Sequence, residues 1–198
     1  MRIYDPKEIA GFLRVREEWG AFSNMHGDFP IEVSGLRIRS TEHYYQALRF
    51  PHLPDFQAEI LAVPSAMFSK KKAYTRQGES REDWEEVNIS AMRHALRLKY
   101  MFHTETIGAL YRASSTRPIV EISNKSDFWG AKPQPDGSLK GMNVLGRLHM
   151  ELRAEIEAEP GRYREEVPAP AWSKALLLGR EISITRSGGA EPAQGLLF

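Results

Sequence analysis

The strongest amphipathic pattern in the chain runs from about Arg81 to Tyr100. Trp84, Val87, Ala91, Met92, Ala95, Leu96 and Lys99 keep a helical period there without proline or glycine. A second helix is expected to open at Ser40-Thr41, because Tyr45, Leu48 and Arg49 then recur three or four apart up to Phe50. Pro54 and Pro64-Ser65 read as two further helix entries, followed by Phe56, Ile60 and Leu61 and then by Met67, Phe68 and Ala73. Two more helices are expected, one over about Glu105 to Ala113 and one carrying Leu145, Leu148, Leu152 and Ile156. Strand signals are shorter. Pro30 to Arg39 alternates apolar and polar residues around Ser34-Gly35, which predicts a hairpin. Pro118 to Ile122 predicts a short buried strand, and Glu181 to Thr185 another. Residues 1–18 show no usable period. Asp127 to Gly141, with two prolines, three glycines, a tryptophan and two acids, predicts an irregular loop of the kind that carries function.

This pattern describes an α+β protein, mostly helical with short antiparallel strands. The composition changes at Glu159-Pro160-Gly161, so a domain over 1–158 and a C-terminal extension over 159–198 are expected. A chain of 198 residues with 41% hydrophobic content can bury one substantial core. With no cysteine, disulfide and thiolate chemistry are excluded. The net charge of +1 argues against bulk electrostatic attraction to nucleic acid, so any such contact must use a local patch. The six histidines include no pair at metal-ligand spacing, and no metal is expected. No apolar run reaches membrane-spanning length and Met1 to Asp5 does not open a signal peptide, so a cytoplasmic location is expected.

The candidate chemistry gathers at the second helix. Ser40 or Thr41 can accept a hydrogen bond from the first free N–H groups, which puts Glu42 in the first turn. A carboxylate there sits against the positive end of the helix dipole, which favours its ionised form. One reading leaves Glu42 as a residue that improves the helix terminus; the other makes it a functional carboxylate. Lys70-Lys71-Lys72 with Arg76 is the most basic local segment, readable as a solvated face or as a cradle for phosphates. By periodicity alone Trp84 belongs to a core.

Several separated pieces nevertheless follow one pattern: Phe22-Ser23-Asn24, Thr41-Glu42-His43-Tyr44-Tyr45-Gln46-Ala47, Asp83-Trp84, Met92-Arg93, Lys99, Val120-Glu121, Trp129-Gly130, Gly141-Met142-Asn143-Val144-Leu145-Gly146 and Met150-Glu151-Leu152-Arg153. Their order and spacing, over about residues 15 to 157, resemble the YbiA-like family, also called NADAR for its link to NAD and ADP-ribose. The resemblance implies hydrolysis of an N-glycosidic bond at a ribose carbon, without metal or redox cofactor, on a mostly helical α+β scaffold. Members of that family differ in substrate: some cleave ribosylaminopyrimidine intermediates of riboflavin synthesis, others remove ADP-ribose from guanine in DNA. It makes Glu42 the first catalytic candidate, as stabiliser of an oxocarbenium-like state or as a base for water. A general acid needs a raised pKa, so a carboxylate held ionised by a helix terminus suits that role poorly. Many relatives carry an acid just after the Trp-Gly pair. Here Ala131-Lys132 follows, so Asp127 or Asp136 is the candidate second carboxylate. Candidate ligand contacts are Phe22, Ser23, Asn24, Tyr45, Arg76, Trp84, Trp129, Gly130, Lys140, Asn143 and Gly146. The tryptophans would stack a base, the amides and glycines would meet ribose or phosphate, and Arg76 a diphosphate.

The last five residues, Gln194-Gly195-Leu196-Leu197-Phe198, resemble the short peptide by which many bacterial replication and repair proteins bind the sliding clamp. They follow a Gly- and Pro-containing lead, and could equally pack on their own domain. The partners expected are therefore ADP-ribosylated DNA or another ADP-ribose-containing ligand, the sliding clamp, and a cognate ADP-ribosyltransferase toxin. The expected activity is removal of ADP-ribose from guanine in DNA, an antitoxin-like repair. The alternatives are cleavage of riboflavin intermediates and a non-catalytic ADP-ribose-binding module.

Overall fold

The computed structural model describes residues 1–188. They form six α-helices and short strands in an α+β arrangement, divided into two compact units.

The first unit comprises Met1–Ser23 and Thr104–Arg162. Residues 1–18, unreadable from the sequence, hold β1 (Arg2–Tyr4) and β2 (Ala10–Phe12). In the second unit, β3 (Ile31–Val33) and β4 (Leu36–Ile38) form the expected hairpin, with Ser34 and Gly35 both at positive φ in the turn. That unit comprises Asn24–His103 and the chain from Tyr163 onward. It contains α1 (Thr41–Ala47), α2 (Pro54–Ala62), α3 (Ala66–Tyr74) and α4 (Trp84–Phe102). The starts of α1, α2 and α3 are where the sequence placed a proline or a capping residue: Ser40 accepts from His43 N–H, Ser65 accepts from Phe68 N–H, and Pro54 opens α2.

The remaining helices and the sheet belong to the first unit. Helix α5 (Thr104–Ser114) is followed by β5 (Ile119–Glu121), which pairs in parallel with β2, the one departure from antiparallel pairing among the named strands. The stretch expected to be irregular contains a hairpin. β6 (Lys132–Pro133) pairs with β7 (Leu139–Gly141), and β7 pairs on its other edge with β1. Helix α6 (Val144–Ala158) then packs against β5.

Past Tyr163 the second unit resumes with β8 (Glu166–Val167), β9 (Leu176–Leu177), β10 (Arg180–Glu181) and β11 (Thr185–Arg186). The single strand expected over Glu181 to Thr185 is therefore two strand ends separated by Ile182 to Ile184, each pairing with a different partner. The segment is fastened to the helices by side chains. His94 donates from Nε2 to Pro168 O at 3.1 Å while Tyr44 donates its hydroxyl to His94 Nδ1, also at 3.1 Å. Gln57 donates to Leu176 O at 3.0 Å and accepts from Leu178 N–H at 2.7 Å. Arg81 donates to Ser173 O at 2.7 Å. Burial lowers the His94 pKa to about 4, so the ring is neutral at physiological pH and suits one donor and one acceptor bond. Among the described residues no helix is long and apolar enough to cross a membrane. Gln194 to Phe198, the clamp-like peptide, lies outside the described residues.

Candidate active site

Glu42 lies in the first turn of α1 and is 3% exposed. Its backbone N–H donates to Asn24 O at 3.0 Å, and the Thr41 hydroxyl donates to the same oxygen at 3.0 Å. Asn24 returns the bond, its side-chain amide donating to Glu42 Oε2. From the other side Gln46, one turn on, donates Nε2 to Glu42 Oε1 at 2.8 Å. Gln46 cannot turn its amide round without loss, because its oxygen accepts from the Arg49 guanidinium at 3.4 Å. Each carboxylate oxygen thus faces an amide donor, and the orientation of the Gln46 amide is set by its contact with Arg49.

Electrostatics correct one expectation. Position in the first helical turn was expected to keep Glu42 ionised and its pKa low. Burial instead pushes the carboxyl above its ordinary value of 4.5, against the lowering pull of Lys70, Gln46, Arg49 and Asn24. The reason is that α1 has seven residues and a small dipole, whereas the carboxyl has lost nearly all its water. A carboxyl raised in this way is a stronger base than a surface carboxylate, and the acid role that the helix-terminus argument disfavoured becomes chemically accessible.

Around it stands an aromatic and cationic wall. Arg49, 6% exposed, has its guanidinium carbon 5.3 Å from the Trp84 ring centre and 5.4 Å from that of Tyr74. One of its end nitrogens donates to Ser80 Oγ at 3.2 Å, and its Nε is buried without a hydrogen-bond partner among the described residues. Tyr45 packs against Trp84 with ring centres 5.1 Å apart, and burial first, then Glu42, raises its phenol well above the usual range. Trp84 is buried against Tyr45 and Arg49, so it forms the back of this wall. Arg76 is bound to Glu79 through Nε at 2.7 Å and lies over Phe56, and Lys72 is paired with Glu59. The diphosphate role expected of Arg76 therefore competes with an existing ion pair. Lys70 is the cation that pulls hardest on the Glu42 carboxyl.

In the first unit the other motif residues form a knot of main chain. The N–H groups of Val144 and Leu145, which open α6, donate to Phe128 O and Trp129 O, each at 3.0 Å. Asn143 is fully buried at φ 49°. Its Nδ2 donates to Ile119 O at 2.9 Å, and its Oδ1 accepts from Glu121 N–H at 3.1 Å. A Cβ on Gly146 would come within 2.0 Å of Ile119 O, and one on Gly130 within 2.5 Å of Glu121 O. Asn143, Gly130 and Gly146, expected to meet ribose or phosphate, here let this chain's own backbone segments meet. Trp129 is half-buried with its ring edge-on to Phe128 at 5.1 Å, and Lys140 is exposed on β7. Phe22 is buried in an aromatic cluster with Phe12, Tyr111 and His149, and Ser23 closes the 3-10 turn Gly20–Phe22 through its N–H to Gly20 O. His149, not singled out in the sequence, accepts the Tyr111 hydroxyl at 2.8 Å and donates to Phe22 O at 2.8 Å.

The two candidate second carboxylates are differently placed. Asp136 is exposed in the β6–β7 turn, where bonds from the Ser138 hydroxyl at 2.7 Å and the Ser138 N–H at 3.0 Å hold its pKa down. That is a turn-stabilising arrangement, not that of a proton donor. Asp127 is half-buried, and its main-chain oxygen accepts from Met142 N–H at 2.6 Å.

Comparison with known proteins gives the family. The NADAR domain matches residues 11–157, and the chain belongs to that family. The N-glycosidase YbiA of Escherichia coli is 35% identical over 151 residues, which are 76% of this chain and 90% of that protein. A riboflavin biosynthesis protein of Vibrio vulnificus is 31% identical over 154 residues, 78% of this chain and 38% of its own length. The NMR structure of E. coli YbiA matches with a TM-score of 0.67 at 34% identity, covering 80% of this chain and 89% of that one.

Proposed function

We propose that this chain is an N-glycosidase whose substrate is ADP-ribosylated guanine in DNA, acting in the cytoplasm to reverse a DNA ADP-ribosyltransferase toxin. The observation that carries the reaction class is the Glu42 carboxyl, buried and held by Asn24 and Gln46 with Lys70 and Arg49 nearby. Family membership, and relatives named N-glycosidase, support the same class.

In this reading water attacks the ribosyl C1 as the C–N bond breaks, and the bonding electrons leave with the base nitrogen, which takes up a proton. Glu42 accepts the proton of the attacking water, and its negative charge stabilises the positive charge growing on the ribose. A raised pKa makes it a stronger base than a surface carboxylate, and the two amides fix which lone pairs point outward. The choice of DNA rests on the sequence: the loop after Trp129-Gly130 departs from the usual family acid, and the terminal Gln194-to-Phe198 peptide would tether the enzyme to a sliding clamp.

A second reading, cleavage of ribosylaminopyrimidine intermediates, is favoured by the riboflavin biosynthesis proteins of V. vulnificus and Zea mays among the relatives. The deciding experiment incubates the protein with a guanine-ADP-ribosylated oligonucleotide beside a Glu42→Gln control. Glu42-dependent release of ADP-ribose supports the first reading. Release from the pyrimidine intermediates alone replaces it with the second, and ADP-ribose binding without turnover of either replaces both with a binding module.

A further inference from the structure

Helix α3 presents two unlike faces. Ala66, Ser69 and Ala73, at i, i+3 and i+7, are buried, and their small side chains let α3 pack closely on α1. On the outer side Met67, Phe68 and Tyr74 are 50%, 54% and 48% exposed. Cations stand over these rings: Lys71 Nζ is 5.5 Å from the Phe68 centre, and Lys70 Nζ is 5.8 Å from that of Tyr74. The basic run divides accordingly. Lys72 and Arg76 are spent on Glu59 and Glu79, while Lys71 has no carboxylate partner among the described residues and Lys70 forms no ion pair there but acts on the Glu42 carboxyl. The same face borders the candidate active site. Tyr74 covers Arg49, whose buried Nε lacks a hydrogen-bond partner among the described residues.

We propose that the outer face of α3, built from Phe68, Lys71 and Tyr74, is a docking surface for single-stranded DNA leading to Glu42. The inference rests on the DNA reading above and adds where the strand lies. Exposed rings interleaved with unpaired ammonium groups match a single strand, whose bases stack on the rings while its phosphates meet the cations. A protein partner fits this surface worse, because lysine is depleted from the centres of protein interfaces. A duplex fits worse too, since its bases are already stacked on one another.

The test is a fluorescence anisotropy titration of the full chain with a short, unmodified, labelled single strand, alongside the same sequence as duplex. Phe68→Ala and Tyr74→Ala are each expected to weaken single-strand binding by roughly tenfold. Lys71→Gln is expected to flatten the dependence of log affinity on log salt by about 0.7. Melting curves verify that each variant folds. Unchanged affinity in all three variants overturns the proposal. So does duplex binding tighter than single-strand binding, or self-association that Phe68→Ala abolishes. Because the strand carries no ADP-ribose, the outcomes separate: DNA binding lost in the variants but no turnover of any substrate leaves the surface standing and removes the glycosidase reading. Turnover with variant-insensitive DNA binding does the reverse.

Discussion

Two regions of this chain bury polar side chains, and they do so to opposite effect. Around Asn143, every buried polar atom meets a neutral backbone partner, and glycines remove whatever would keep the strands and α6 apart. Around Glu42, a group that prefers to be ionised is buried next to two amides and two cations, and its proton affinity is raised. The first arrangement has one comfortable state. The second has two, protonated and ionised, and loss of water tilts the balance toward the protonated one, the kind of shift that proton-transfer chemistry uses.

The contrast is open to attack at both ends. Glu42→Gln is expected to have the largest effect, lowering turnover by about 10²–10⁴-fold while ligand binding persists. It should also raise stability at pH 7. A carboxyl whose folded pKa lies above its unfolded value stabilises the fold only when protonated, and that contribution is lost as pH rises through 4.5 and beyond. Urea titrations of both proteins at pH 4 and pH 8 measure this; a variant less stable at pH 8 contradicts it.

Gly146→Ala attacks the other region. Its methyl would collide with Ile119 O, which cannot yield without moving β5, so a loss of about 3 kcal/mol is expected in urea unfolding. Asn143→Ala should cost about 2 kcal/mol by leaving Glu121 N–H and Ile119 O without their partner. Neither variant should displace the acidic limb of the pH–rate profile measured on its folded fraction. Lys70→Met should do what they do not. It removes the largest influence holding the Glu42 pKa down, so the acidic limb should move to higher pH, and stability above that limb should fall in proportion to the shift.

A further effect concerns Lys99, buried beside Phe29, whose amine is brought down to about 7 by loss of water. Its folded pKa lies below the unfolded value of 10.5, so the unfolded chain binds more protons between those pH values and stability rises with pH across them. Lys99→Met should abolish that rise, as seen in unfolding free energies at pH 7 and pH 9.

Much of the helical layout was legible because caps and periods are local. Ser40, Pro54 and Ser65 announce starts, and the stripe from Trp84 to Lys99 runs long enough to average out exceptions. β1, β2 and the β6–β7 hairpin were not legible. Elements of two or three residues have no measurable period, and β1 and β2 find their partners more than a hundred residues along the chain. The site divides in the same way. Glu42 and Gln46 are one helical turn apart, a spacing visible in the sequence. Lys70 depends on α3 crossing α1, and the capture of Arg76 by Glu79 depends on a short 3-10 turn that no pattern signalled. The direction of the Glu42 shift was missed because sequence shows a carboxylate's neighbours in the chain but not how much water it keeps.

Gln57 has a practical consequence for anyone trimming this protein. Its fully buried amide treats the strand around Leu177 as a neighbouring strand would, giving one bond and taking one. The family match ends at residue 157, an inviting place to stop a shortened recombinant version. Such a version would leave the carbonyl of Gln57, and the imidazole of His94 with it, facing a space where their partners used to be. The recognisable part of this chain is therefore shorter than the part that must be expressed for it to fold well.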